Sequence, residues 1–550
     1  MPSQRKTGAR PMPSQRKTAA APSKRAPVVE HATAPIPLWA WAALLLVVTL
    51  VAFAPTFGAQ FIKWDDQFYV EENPLLPDPD GLRKIWDPIS REAPEYYPIL
   101  FGSYWLEYRL WGLDPRPYHA TTLALHLANV GLVLLLARRL GAAGWVAAGA
   151  AALFAVHPVQ VASVAWISEL KNTLSGLFYL VAFLLYLRHR RTGRWGAYAG
   201  CLASFVAALL SKTQTVTFPM SLVLAEWLLL RRREVPLQRA AGGVAARVAP
   251  MFALCIPAGL LTMYFDQHPH TPAFPLVDRL VIASNAVWFY LRTFLAPVRL
   301  SPVYAAWHPV AADPSWWMAA VGLCLGGVAL GAVWRHIPAL TRWGMLHFLV
   351  SLLPVLGFVP FTYETYTMVA DHFLYLPCIG GGVALAAGVD RLLARLPSGR
   401  MVRHTAAAVG VLIVAACAAQ TYAEATHWRT NVSFWTRVRD RDPNGFLGHF
   451  NLGNHYRNRG EWAAAVPHYR RAAEIRPGVD YPFHRYVEAL RNAQGAEAAL
   501  AACNEKIRRA PGFAPAYIER ATSYEAMGRT ADAARDLTLA ERLNGARRPP

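Results

Sequence analysis

The sequence predicts an all-α protein: a polytopic α-helical membrane part of about eleven spans, followed by an α-solenoid of short helical repeats. Three observations predict it. Hydrophobic residues make up 54% of the 550-residue chain and charged residues only 16%, against about 25% charged in a soluble domain. Apolar runs of about 20 residues, the length that crosses a hydrocarbon core, recur between residues 38 and 422. From residue 446 onward these runs stop, and a pattern returns every 34 residues.

This composition excludes a soluble cytosolic enzyme, a disordered protein and a small disulfide scaffold. The six cysteines show no spacing of a disulfide framework or a zinc site. The formal charge of +20 has the size of a nucleic-acid signature but not its placement. Seven of the 55 Lys and Arg lie in the first 25 residues, and many others flank apolar runs. That is how a membrane protein anchors its cytoplasmic ends, so a lipid bilayer is the expected partner and nucleic acid is not.

Residues 1–36 are polar and basic, with MPSQRKT occurring twice, and read as a disordered cytoplasmic tail. Residues 37–425 form the membrane domain. Its first run, Leu38 to Phe57, is too long for a signal peptide and lacks a cleavage pattern, so it is a retained span. Ten more follow, near 119–136, 143–165, 173–187, 195–210, 214–230, 248–264, 315–334, 343–360, 373–389 and 405–422. A further run, 281–297, carries Arg292 in its middle and Pro297 at its end. Laying it in the interface puts Arg138/Arg139, Arg188 to Arg194, Arg231 to Arg233, Arg335/Arg342 and Arg391 to Arg403 on the side of the basic N-terminus. The positive-inside rule favours that arrangement. Eleven spans then leave the C-terminal part outside the cytoplasm. Ala- and Arg-rich usage points to a bacterial inner membrane.

Residues 426–445 are a linker. It holds Asn431-Val432-Ser433, a glycosylation sequon that has meaning only in a eukaryotic lumen. Residues 446–545 are three tetratricopeptide repeats. Leu452, Gly453, Tyr456, Gly460, Ala465, Tyr469, Ala472 and Pro477 occupy the signature positions of the first. The middle repeat is degenerate, keeping Phe483, Ala499 and Pro511. Small residues let paired helices approach and aromatics fill the groove between them. The tyrosines read as packing, whereas Asn451, Asn454 and Arg457 are the expected contacts to a protein partner.

The loop at 58–118 is too long for an ordinary connector and rich in aromatics and prolines, which marks it as functional. Asp65 and Asp66 follow the first span by a few residues. Such a pair suits a general base or a cation such as Mg²⁺ or Mn²⁺, or else a structural turn. No cofactor is required by the pattern. Other ionisable residues fall at the same outer edge: His119 and His126, seven apart on one helix face, then His157, Glu169, Lys171, Lys212, Asp371 and His372. Charged groups near a bilayer are costly, so their convergence on one face suggests a site.

These residues sit in FIKWDDQFYVEENP, GLDPRPYHATTLALHLANV, FAVHPVQVASVAWISELKNTLS, LSKTQTVTFP, FYLRTFLAPVRLSPVY and ADHFLYLP, with the repeats after a WRTNVSFW linker. In that order the blocks resemble the bacterial relatives of the transmembrane-and-tetratricopeptide protein O-mannosyltransferases, within the GT-C glycosyltransferase superfamily. The resemblance implies a GT-C-like membrane domain and an inverting transferase. It would move mannose or another hexose from a polyprenyl-phosphate donor to a hydroxyl of a protein or glycan acceptor, outside the cytoplasm. It implies that Asp65 or Asp66 is the base, that Lys212, Lys171, His157 and His372 hold the donor phosphate, and that Arg292 is a lesser candidate. His119, His126, Glu169 and Asp371 would support them. His372 would be cationic if Asp371 and a phosphate raised its pKa.

The chain departs from the family pattern at Tyr97 before Pro98, at Ala162, at Glu169-Leu170-Lys171-Asn172 and at His372 before Phe373. These departures bear on donor identity and on activity. They motivate an alternative, a non-catalytic membrane-anchored repeat scaffold that binds lipid-phosphate or protein partners. A transporter is a third reading, but the membrane part shows no internal repeat of the kind transporters carry.

Overall fold

The computed structural model describes residues 37–265, 274–310, 312–359, 362–397 and 399–545. The basic tail at 1–36 lies outside the described residues. Among them all regular structure is helical. In chain order come α1 (Leu38–Ala52), α2 (Gly81–Trp86) and α3 (Pro98–Trp111) of the long loop, and α4 (Pro115–Arg139). Next are α5 (Gly144–Val156), α6 (Val161–Ala165), α7 (Leu170–Thr192), α8 (Trp195–Leu209), α9 (Phe218–Arg232) and α10 (Leu237–Phe265). The membrane part ends with α11 (Leu276–Leu295), α12 (Met318–Val333), α13 (Ala339–Leu352), α14 (Pro377–Leu393) and α15 (Arg400–Thr426). After the linker helix α16 (Asn431–Arg441) come α17 (Phe446–Asn458), α18 (Trp462–Ile475), α19 (Asp480–Gln494), α20 (Ala496–Arg509), α21 (Ala514–Ala526) and α22 (Thr530–Gly545).

Local chemistry sets several boundaries. Asp114 caps α4, accepting from the Arg116 N–H at 3.1 Å, and Pro115 takes the first helical position, where no N–H is needed. Arg138 and Arg139 close its last turn, where cations suit the helix dipole. Gly193 ends α7 with a left-handed φ of 69° after Arg190 and Arg191.

Each of the eleven apolar runs contains a helix among the described residues, but not all of these helices cross a bilayer by length and composition. Among the described residues, five helices are long and apolar enough: 115–139, 167–192, 238–265, 314–336 and 401–426. A sixth is α5 joined to the 158–165 segment, bent by 48° at a break. The apolar helices at 38–52, 195–209 and 339–355 are shorter. The reason is local. α1 passes into the 3₁₀ turn Ala54–Gly58 before the outer loop, and α13 passes into another at Leu353–Val355. The run expected at 281–297 is the single helix α11. It carries Asp278, Arg279 and Arg292 and is not among the five.

The membrane helices share one core, in which Tyr179, Phe183, Phe218 and Trp343 are fully buried. α13 and α14 pack backbone to backbone. A Cβ on Gly380 would lie 2.5 Å from the Gly344 carbonyl oxygen and 2.8 Å from the Phe348 nitrogen. The six helices α17–α22 form three hairpins. Gly453 clears the buried Tyr469 ring, which a Cβ there would meet at 2.6 Å, and Phe483, Val487, Cys503 and Phe513 fill the middle of the stack.

Gly380→Ala overpacks the α13–α14 contact. A loss of about 1–3 kcal/mol is expected, read as a lower thermal midpoint in detergent, with Gly388→Ala near wild type because its added carbon meets only Thr341 at 3.9 Å.

Candidate functional site

The site forms where the long loop at 58–118 folds back on the segment between α6 and α7. Asp66 makes that closure. Its Oδ2 accepts the Ile62 N–H at 2.9 Å and its Oδ1 accepts the Ser168 N–H at 2.8 Å and the Ser168 hydroxyl. Tyr104 on α3 adds a bond from its hydroxyl to the Ile167 carbonyl at 2.7 Å. The Ile99 N–H donates to the Leu210 carbonyl at 3.2 Å, which brings the same loop beside Lys212.

The two adjacent carboxylates are thereby distinguished. Asp66 is fully buried and both its oxygens are taken by donors. Burial pushes it up to about 7 against the pull of those donors. Asp65 is only half-buried and takes no hydrogen bond among the described residues. Burial also raises its carboxyl to about 7, opposed by Lys171 and assisted by Glu95, Glu169 and Asp66.

Facing Asp65 is a buried cluster centred on Glu169. Its Oε2 accepts from Lys212 Nζ at 3.1 Å and from the Asn172 amide at 2.6 Å. Its Oε1 faces Lys171 Nζ at 3.5 Å and His372 Nε2 at 3.8 Å. Lys212 also donates to Asn172 Oδ1 at 2.8 Å, and burial brings its ammonium down to about 8 against the field of Glu169. Lys171 donates to the Tyr69 hydroxyl at 3.2 Å and lies 3.7 Å from Glu95, to which Tyr69 donates in turn. Six of the expected residues therefore meet: Asp65, Asp66, Glu169, Lys171, Lys212 and His372.

The others go elsewhere. His157 stacks on Phe294 and bonds its carbonyl through Nε2 at 2.9 Å, while Nδ1 accepts the Val159 N–H at 3.4 Å. It is a cap at the bend, with neither ring nitrogen free for a phosphate. His126 bridges the Tyr375 hydroxyl and the Ala155 carbonyl, each at 3.0 Å, inside the bundle. His119 is buried at the start of α4. Asp371 accepts the Tyr304 hydroxyl at 2.8 Å and is raised to about 8 by burial. Burial lowers His372 to about 3, with Glu169 opposing the shift and both lysines adding to it. Arg292 lies over the Phe289 ring of its own helix.

Sequence reasoning missed Tyr69, Glu95 and Tyr363, and noted Asn172 only as a departure from the family pattern. The Tyr363 hydroxyl is buried without a hydrogen-bond partner among the described residues, in the field of Asp65, Glu169 and Asp371. Glu95 stood in a loop with several acidic residues, and only the fold shows that it reaches Lys171. For a divalent ion, no group of three or more His, Cys, Asp or Glu suits a metal among the described residues. Both Asp66 oxygens are engaged by protein donors, whereas Asp65 takes no hydrogen bond among the described residues.

In the repeats, Asn451 back-bonds to the Leu447 carbonyl at 3.0 Å and Arg457 lies 3.9 Å from Glu488. Asn454 does have a packing role, contrary to expectation. The buried Tyr469 hydroxyl needs an acceptor, and Asn454 Oδ1 supplies it at 2.8 Å.

The model of the tetratricopeptide repeat family matches residues 446–479. The Caenorhabditis elegans protein O-mannosyl-transferase F38B6.6 is 22% identical over 80% of this chain and 63% of its own length. Human protein O-mannosyl-transferase TMTC1 is 22% identical over 82% of this chain and 56% of its own. The chain resembles the protein O-mannosyl-transferases along most of its length. A shorter stretch, 30% of this chain, is 32% identical to Xenopus laevis protein O-mannosyl-transferase tmtc2, covering 22% of that relative. The chain thus spans at most about two thirds of these relatives. Among solved structures, ArnT from Cupriavidus metallidurans bound to undecaprenyl phosphate aligns over 85% of this chain and 80% of that one, at 15% identity and a TM-score of 0.36.

Two outcomes follow for the carboxylates. Asp66→Ala orphans two buried amides and a hydroxyl, and should cost about 3 kcal/mol or more, seen as a lower melting temperature. Asp65→Asn should do the opposite. Because the folded carboxyl binds its proton more tightly than the unfolded one, wild type loses stability as pH rises from about 4 to about 7. The advantage of the Asn variant should grow across that window and level above it in melts at stepped pH.

Proposed function

We propose that the chain is a membrane glycosyltransferase that moves a hexose from a polyprenyl-phosphate donor to a hydroxyl of an acceptor protein, outside the cytoplasm of a bacterial cell. The observation that carries this reading is a half-buried carboxylate, Asp65, that takes no hydrogen bond among the described residues and lies opposite a buried pair of lysines. The relatives named protein O-mannosyl-transferases support it.

Asp65 acts as the general base. Its raised pKa makes it a better proton acceptor than an ordinary carboxylate while leaving a large ionised fraction near neutrality. The acceptor hydroxyl gives its proton to Asp65, and its oxygen bonds to the anomeric carbon as the bond from that carbon to the phosphate oxygen breaks. Polyprenyl phosphate leaves from the opposite face, so the centre inverts. The leaving phosphate gains negative charge. Lys212 and Lys171 stabilise it, and His372 offers a neutral ring N–H. Glu169 aligns the two lysines but also competes for them, so donor binding shifts their bonds from carboxylate to phosphate. The repeat domain captures the acceptor.

Sugar transfer in proteoliposomes tests this, with labelled polyprenyl-phosphate mannose, glucose and N-acetylglucosamine and a membrane-extract acceptor. Asp65→Asn should lose about a thousandfold in rate, within the range that removal of a general base produces. The wild-type rate should rise with unit slope up to about pH 7, where Asp65 loses its proton. Equal transfer by wild type and Asp65→Asn would overturn the assignment.

A further inference from the structure

The glycosylation sequon in the linker is spent on another task. Asn431 is 8% exposed, and both ends of its side-chain amide are engaged. Oδ1 accepts the Lys63 N–H at 2.6 Å, and Nδ2 donates to the Phe61 carbonyl at 3.0 Å. One step earlier, the Gln60 N–H donates to the Arg429 carbonyl at 2.9 Å. The side chain of a residue 368 positions away thus pairs with the loop backbone as a neighbouring strand would. It does so at Phe61 and Lys63, on either side of Ile62, whose N–H is held by Asp66. Two residues after Lys63 comes Asp65.

The helix that begins at Asn431 is itself firmly placed. Thr430 caps it through the Ser433 N–H at 3.1 Å, and the Ser433 hydroxyl answers to the Thr430 backbone. On its far side Arg437 pairs with Glu424 of α15, and Arg441 donates to the Leu300 carbonyl at 3.0 Å. Its rings close a circuit around the site. Trp435 meets Trp64 at 5.2 Å between centroids, and Trp64 meets Tyr366 at 4.8 Å. From there the contacts run through Tyr363 to His372, then to Trp166 at 5.9 Å, Trp428 at 5.7 Å and Phe434 at 4.9 Å, which touches Trp435 at 4.8 Å. The same helix packs directly on α17 of the first repeat, where a Cβ on Gly448 would lie 2.7 Å from the Arg439 nitrogen.

We propose that Asn431 is a positioning residue: it pins the backbone at Phe61 and Lys63 to the linker helix, so that the repeat domain and the Asp65 carboxylate move as one body. A carboxylate must be held to within a fraction of an ångström to abstract a proton, and a displacement of about 1 Å costs roughly a hundredfold in rate. On this reading, which rests on the function proposed above, the domain that gathers the acceptor also sets the base that attacks it.

The test compares the full chain with Asn431→Ala and Asn431→Asp in nanodiscs, by amide exchange and by transfer kinetics against pH. In the Ala variant, exchange of peptides covering 60–66 should quicken by about tenfold or more, with α7 and α18–α20 unchanged. Transfer should fall about thirtyfold in kcat with donor KM held within about twofold. The acid limb of the pH profile should also move below its wild-type position as Asp65 gains water. Asp at 431 still accepts from Lys63, so it should recover part of both losses. Unchanged exchange at 60–66 would overturn the proposal, as would faster exchange with kcat and the pH limb intact. A wild type that transfers no sugar would count against the proposed function instead, and the exchange result alone would then decide whether Asn431 pins the loop.

Discussion

The site depends on one buried carboxylate. Asp66 gathers the Ile62 amide, the Ser168 amide and the Ser168 hydroxyl, residues far apart in the chain, around a single group. Taking an ionised carboxylate out of water is expensive, and donors of this kind are what repay it. Since Ser168 precedes Glu169, the bracket fixes the distance between the outer loop and the lysine cluster. Since Asp65 adjoins Asp66, it also fixes where the free carboxylate can be. The two acids divide the labour: one holds, and the other is left available.

The cluster opposite shows the same economy. Glu169 is almost wholly buried and would be intolerable alone, but Lys171, Lys212, Asn172 and His372 surround it. Breaking such a set by removing one member leaves an uncompensated charge, so every member contributes to folding whatever it does in chemistry. Loss of activity in a variant here therefore carries meaning only beside a measure of folding. The raised Asp65 carboxyl is a second cost accepted at this site, since its charge is held in surroundings that favour the neutral form.

Much of this was legible in the sequence. The 34-residue period pointed to the hairpins of α17–α22, and the apolar runs marked the membrane helices, because both are local patterns. The acidic pair and the lysines of ELKN and LSK were legible as ionisable groups at one edge. What periodicity cannot carry is direction. His157 occupies the boundary position a ligand would occupy, but the 48° bend beside it turns its ring onto Phe294. Glu95 was one acid among several until the loop folded over Lys171. Asn431 matched a modification motif, and only a contact across 368 residues shows its side chain acting as backbone would. The expected count of eleven spans rested on run length and charge bias in the sequence, whereas α1 and α13 tighten into 3₁₀ turns before reaching full length.

The close approach of α13 and α14 has a mechanical meaning. With Gly344 and Gly380 facing each other's backbone, no side chain, lipid tail or water separates the two rods, and they share their stiffness. The outer end of that doubled rod leads directly into Asp371 and His372. The histidine side of the site therefore stands on two helices packed backbone to backbone, whereas the opposite wall is loop backbone held in place by the side chains of Asp66 and Asn431.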